Sequence, residues 1–272
     1  MLADSRTYRL KFTRVLIPMA SGGKSRRVLD IAYDMASVHD CEITALTIKD
    51  EVHDMAWSEK VARVTEAYRE GKDKGIKVVP KIRTRGSVRE CITDEVNAHA
   101  YSMVMLAAGK RSPLSASIFG GIGDHVLKNS KIPVIAASVS DTSYPYRSIF
   151  LPVSENVNTR TAVSFALNLK IATGAKLYLA DLRGYDTKIR HGFKLLFDHF
   201  EEMLERFGRD IVVIKGGFSE TLKEELKSLS ERLSPDATVL GVRSDTSGKI
   251  RMSSNVKATI KENPGDTILI KK

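Results

Sequence analysis

Near the start of the chain, residues 19–25 read MASGGKS. A Gly-Lys-Ser ending is how a P-loop closes: backbone N–H groups cradle phosphate, the lysine reaches it, and the hydroxyl serves the metal. The full pattern, G-x-x-x-x-G-K-[ST], needs a glycine at position 18, where the chain has Pro18. Proline has no N–H to offer and a fixed φ. Ala20, Ser21, Gly22 and Lys24 therefore read as a Gly/Ser strand-to-helix turn with a surface lysine. A second stretch, AAGKRSPLSASIFGG (107–121), is long, basic and rich in Gly and Ser. It starts with Ala107, Gly109 and Lys110 and feeds a helix opening near Gly120, Gly121 and Ile122. N–H groups in such a loop, backed by a helix N-terminus, can form an anion site. A plain connector is the other reading, and the sequence leaves both open.

Other chemistry is thinly marked. The six histidines are scattered, and His191 and His199 share a charged segment with Asp198, Glu201 and Glu202 that reads as a solvated helix face. Cys41 and Cys91 are far apart, make no metal-type spacing and read as small apolar residues near the core. No Ser/His/Asp set or carboxylate pair stands out. No catalytic residue and no metal ligand is assigned. The net charge of +10 is spread over both halves of the 272 residues. Its densest cluster, KIRTRGSVR (81–89), lacks the aromatics that stack bases. It reads as a solvated basic rim that could attract anions, and nucleic-acid binding ranks last. No apolar run approaches the roughly 20 residues of a membrane helix. The opening MLADSRTYRLKF has no signal-peptide core, so a cytoplasmic location without membrane insertion is expected.

The elements that must hold these loops appear twice. Shifted by 134 residues, RVLIPMAS (14–21) falls on SIFLPVSE (148–155), with Pro18 over Pro152. KVVPK (77–81) falls on IVVIK (211–215), SMVMLA (102–107) on DATVLG (236–241), and IPVIA (132–136) on DTILI (266–270). Each copy reads βαβαβαβαβ. In the first, strands are expected at 14–19, 42–48, 76–82, 102–107 and 133–137, and helices at about 24–38, 57–74, 87–99 and 121–129. The second should carry a helix at about 187–207 and another capped by Ser219 or Thr221, with Thr221-x-x-Glu224 in capping-box form. The chain is thus α/β: two doubly wound, five-stranded parallel-sheet domains, 1–140 and 144–272, each with its own core. The linker is SVSDTSYPY (138–146).

Two such copies with these loops resemble a tandem universal stress protein. VLIPMAS and IFLPVSE take the place of the family's P-[VTM]-D-x-S run. GGIGDHVLKNSKIPVIAAS (120–138) is similar to its closing G-S-V-S-E-K-V-L…P-V-L-V run, and SNVKATIKENPGDTILI (254–270) fits more loosely. The resemblance implies the Rossmann-like Usp fold, related to the adenine nucleotide alpha hydrolases, with strand order 3-2-1-4-5. It also implies pairing of the two repeats through strand 5, with a further dimer left open. In ATP-binding members an aspartate follows strand 1; here Ala20 and Ser154 stand there. Where the phosphate loop calls for Gly, Gly, Gly and Ser/Thr, copy one has Ala107, Lys110, Gly120 and Gly121, and copy two has Gly241, Ser244, Ser254 and Asn255. The implied function is a non-enzymatic stress-response or regulatory module with degenerate clefts, acting through protein partners and binding ATP or another adenine nucleotide weakly. The alternatives are a nucleotide-binding switch with slow hydrolysis, or the cytoplasmic regulatory domain of a transporter.

Overall fold

The computed structural model describes all residues except 1–9, 11, 21–22, 50–56, 110–118, 187–209, 245–249 and 272. In the first half, β1 (Arg14–Pro18), β2 (Glu42–Ile48), β3 (Val78–Arg83), β4 (Met103–Gly109) and β5 (Val134–Val139) alternate with four helices. These are α1 (Lys24–His39), α2 (Trp57–Asp73), α3 (Val88–Ala98) and α4 (Gly120–Asn129). The second half runs β6 (Ser148–Val153), α5 (Arg160–Thr173), β7 (Lys176–Asp181), β8 (Ile211–Lys215), α6 (Leu222–Leu233), β9 (Ala237–Ser244), the short β10 (Ile250–Arg251), α7 (Ser254–Glu262) and β11 (Asp266–Lys271). The expected helix at 187–207, with His191 and His199, lies outside the described residues.

The strand order is β3-β2-β1-β4-β5-β11-β9-β6-β7-β8. Each half is therefore a 3-2-1-4-5 sheet, parallel throughout its main ladder. The fifth strands join the halves by antiparallel pairing, from Thr267 against Ser138 to Lys271 against Val134. The sequence reads β4 and β5 two residues short at their C-terminal ends. The β4–β5 ladder carries on through Ala108–Ser138 and Gly109–Val139, which also shortens the linker.

Separate cores are not what forms. One buried apolar cluster lies on the sheet face covered by α1, α2 and α5, and runs from Val15, Ile31 and Met105 to Phe165, Val239 and Ile268. The other lies under α3, α4, α6 and α7 and likewise includes residues of both halves, from Leu16, Ile92 and Val126 to Leu226, Leu240 and Ile260. The reason is geometric. Once β5 pairs with β11, α1 and α5 pack against each other across the seam, so the apolar cluster beneath them runs on from one half to the other. Within each strand the alternation holds: Val15 and Ile17 face the first cluster and Leu16 the second. The strand residues Val15, Ile17, Met103, Met105, Ile149, Leu151, Ala237 and Val239 are all buried, as are Cys41 and Cys91. At α6, Thr221 is the cap and forms the capping box with Glu224: Oγ1 accepts Glu224 N–H at 3.3 Å, and Glu224 Oε2 accepts Thr221 N–H at 3.1 Å.

Candidate functional site

In each half the sheet splits where the strand order turns. β1 pairs with β4 only at Val15–Met103 and Leu16–Val104, and β6 with β9 only at Ile149–Ala237 and Phe150–Thr238. Beyond those rungs the strands diverge toward their C-terminal ends. The parting edges make the cleft where open parallel sheets take ligands.

In the first half the described residues about this cleft are Met19, Ala20, Lys24, Ala107, Gly109 and 120–122. Met19 N–H donates to the Leu46 carbonyl at 2.7 Å and holds the chain end of β1 against β2. Ala20 is exposed, and Ser25 Oγ donates to its carbonyl at 3.4 Å. Lys24 is exposed at the first position of α1 and lines a depression of about 660 Å³ with Val139, Ser140, Asp141, Thr142 and Pro264. The lysine thus faces the seam between the halves. On the β4 side, Gly120 has φ +84°, a backbone conformation that suits glycine. Gly23 and Gly121 are different: a Cβ at either would meet nothing within 4 Å, so packing does not demand glycine there. Ile122 is exposed. Ala107 and Gly109 lie on β4 opposite Ala137 and Val139. The α4 N-terminus is partly spoken for, because Asp124 Oδ1 accepts the Phe119 N–H at 3.0 Å. Ser21, Gly22, Lys110 and Arg111 lie outside the described residues.

The basic cluster at 81–89 is not a free rim. Lys81 and Arg83, two of its four cations, reach fully buried Glu95 at 2.6 and 2.7 Å, and Tyr101 donates to the same carboxylate at 2.8 Å. Burial alone would raise the Glu95 pKa, but these three partners reverse that and hold it at about 2.

In the second half the cleft is filled from within. Ser154, Val157, Asn158 and Thr159 are all buried. Asn158, at the position of Lys24 in the repeat, donates through Nδ2 to the Pro152 carbonyl at 2.9 Å and the Val239 carbonyl at 3.0 Å. One amide therefore bridges β6 and β9 where they part. Gly241 N–H donates to the Val157 carbonyl at 3.1 Å, and a Cβ on Gly241 would lie 2.5 Å from Thr159 Oγ1. The start of α5 thus sits directly on β9, which requires glycine at 241. Ser244 ends β9, and Ser254 and Asn255 open α7. The helix cap is the preceding Ser253, whose Oγ donates to the Asn156 carbonyl at 2.6 Å and accepts the Val256 N–H at 3.2 Å. Asp186 was not foreseen from sequence: its carboxylate accepts from Ser154 Oγ at 2.6 Å. Nothing in the sequence marks it, since it comes from the loop after β7. The repeat alignment did place Asn158 over Lys24, which was the available signal for the staple.

Among the described residues no group of three or more His, Cys, Asp or Glu side chains could hold a metal ion, and no helix is long and apolar enough to cross a membrane.

Residues 11–138 match the Universal stress protein family. A search among curated proteins gave no match. Among solved structures, a putative universal stress protein from Pseudomonas aeruginosa UCBPP-PA14 is similar over 96% of this chain and 94% of its own, with 14% identity and a TM-score of 0.64. A functionally unknown protein from P. aeruginosa PAO1 aligns over 96% and 93%, at the same identity and TM-score. A universal stress protein from Archaeoglobus fulgidus DSM 4304 aligns over 95% of this chain and 98% of its own, with 17% identity and a TM-score of 0.59. At such identities the likeness speaks for the fold, and it extends over both halves. Residues 11–138 are thus a domain of the Universal stress protein family, and the second half of the chain repeats its fold.

Proposed function

We propose that the protein is a non-enzymatic stress-response or regulatory module, working in the cytoplasm through protein contacts, in which the first-half cleft is the ligand-accessible one. The observation that carries this reading is the exchange at one repeat position: exposed Lys24 in the first half against buried, bridging Asn158 in the second. The proposed ligand is an adenine nucleotide or another anion, held weakly. Its charge would lie near Lys24, Lys110 and the N–H groups of Gly120, Gly121 and Ile122, with Ala20, Ser21, Gly22, Ala107 and Gly109 lining the approach. Gly23 and Gly121 support this, because they leave backbone open where packing asks for no glycine. Ala20 supports weak binding, because it offers no carboxylate to a ribose. On this reading Ser154, Gly241, Ser244, Ser254 and Asn255 keep the second cleft closed, and the functional units are 1–140 and 144–272.

Calorimetry with Mg-ATP on the purified protein tests this. Two or three missing charge-assisted hydrogen bonds, at about 1.5–3 kcal/mol each, take a micromolar site to about millimolar. The expected result is binding of that order, weakened by K24E and unaffected by K74E, which puts the same charge change on an exposed residue just past the end of α2. Equal losses from both would mean only a long-range field. Micromolar binding, or ATP present in the protein as purified, would overturn the weak-binding reading.

A further inference from the structure

The turn after β6 aims three donors at one carboxylate. Ser154 Oγ donates to Asp186 Oδ1 at 2.6 Å, Asn156 Nδ2 to the same oxygen at 3.1 Å, and Glu155 N–H to Oδ2 at 2.8 Å. Ser154 is fully buried, and its Oγ accepts the Asn156 N–H at 3.1 Å, so its own hydrogen is committed to Asp186. The neighbouring Glu155 side chain does not contend for these donors, since its carboxylate pairs with Arg243 at 2.5 Å. Asp186 arrives from a different element, the helical turn Arg183–Tyr185 after β7, and its N–H is tied back to the Arg183 carbonyl at 3.0 Å. Donors converging on both oxygens of an anion, on a buried base, are what an oxyanion site is made of.

We propose that this turn is an oxyanion-binding site, for a carboxylate or phosphate group, and that Asp186 fills it as the chain's own ligand. A tethered carboxylate competes at an effective concentration on the order of millimolar or above. A free anion therefore enters only when the 183–186 turn withdraws Asp186, and binding there moves that turn. The second half becomes a switch with an internal ligand. This does not depend on ligand binding in the first half.

The test uses the full chain, inorganic phosphate as probe, and amide NMR at constant ionic strength with chloride as the control. In the wild type, the Glu155 backbone amide and the Asn156 side-chain amide should show no saturable shift up to about 10 mM phosphate. In D186A both should shift saturably, with phosphate bound at least about tenfold more tightly than by the wild type. Chloride should not reproduce the shift, and K24E in the D186A background should leave it unchanged. Absence of a saturable shift in D186A, an equal response in the wild type, or the same response to chloride each overturns the assignment. Should D186A fail to fold, D186N keeps the shape with one acceptor oxygen and is read by hydrogen exchange. The Glu155 amide should then exchange at least about tenfold faster than in the wild type, and unchanged exchange overturns the proposal.

Discussion

Replacing Arg27 by methionine removes the one cation that, among the described residues, pairs with a buried carboxylate at the seam. Asp266, at the start of β11, is fully buried and accepts from Arg27, from Tyr146 Oη at 2.7 Å, and from Ser140 N–H and Oγ, both at 2.7 Å. Arg27 comes from α1 of the first half and also donates to the Thr142 carbonyl in the linker. Burial, and then the Asp266 charge, push the Tyr146 phenol well above its ordinary pKa, so it stays a donor. Removing one partner of a buried pair costs about 3–5 kcal/mol. Three donors remain on Asp266, so R27M should sit at the low end, about 3 kcal/mol. At about 2–4 °C per kcal/mol for a chain of this size, the melting temperature should fall by roughly 6–12 °C. K77M is the control. Lys77 is 74% exposed and pairs with Glu42 at 2.6 Å, a surface bridge worth about 0–1 kcal/mol. R27M/D266N should lose less than the two single changes added, because each single change strands its partner. The assay is thermal and urea unfolding of all four variants. A cost for R27M no larger than that of K77M, or strict additivity in the double variant, would refute the reasoning.

Glu95 gives a pH signature. Its folded pKa of about 2 lies below the ordinary carboxylate value of about 4.3, so its ionised form stabilises the fold by about 3 kcal/mol above pH 5 and the contribution disappears as pH falls through about 2. The stability gap between wild type and E95Q should therefore shrink between about pH 5 and pH 2, and a gap that stays flat in acid titration would sink the assignment. N158A leaves the Pro152 and Val239 carbonyls without their bridging amide, and should cost about 2–3 kcal/mol in urea unfolding; a change under about 0.5 kcal/mol would show that Asn158 does not staple the strands.

The strands were legible because their signal is local. Short apolar runs bounded by turn residues placed β1 to β5 to within two residues, and the repeat extended the reading to the second half. Strand order and the pairing of fifth strands came instead from the resemblance, since periodicity does not say which strand lies beside which. The same gap explains the expectation of two separate cores. Apolar residues such as Ile135 and Ile268 announce that they are buried, not that the cluster they join runs on across the seam. At the candidate site, the glycines and Lys24 were visible because loop composition is a local property. Asp186 was not, because three donors meeting one carboxylate 32 residues away leave no spacing to read. Glu95 was hidden for the same reason, and the basic cluster above it therefore looked freer than it is.

The two halves also show what joining them in one chain permits. In a symmetric dimer each contact at a twofold seam occurs twice, so a substitution is felt on both sides. Here each occurs once. The counterpart of Arg27 in the repeat is Thr161, that of Asp266 by strand register is Pro133, and that of Tyr146 is Phe12, which stacks on His39 at 4.9 Å and lies 6.3 Å from Phe165. One side of the seam is thus a buried charge network and the other is apolar. Pairing β11 with a second β11 would set Asp266 against Thr161 with no cation, at the cost of an unpaired buried carboxylate. Pairing first half with second satisfies both sides. The same freedom reaches the clefts. Asn158 bridges one sheet split, while the same repeat position at the other split carries Lys24 turned to solvent. The asymmetry of the seam and the asymmetry of the clefts have one origin: two copies of a fold that no longer have to carry the same side chains.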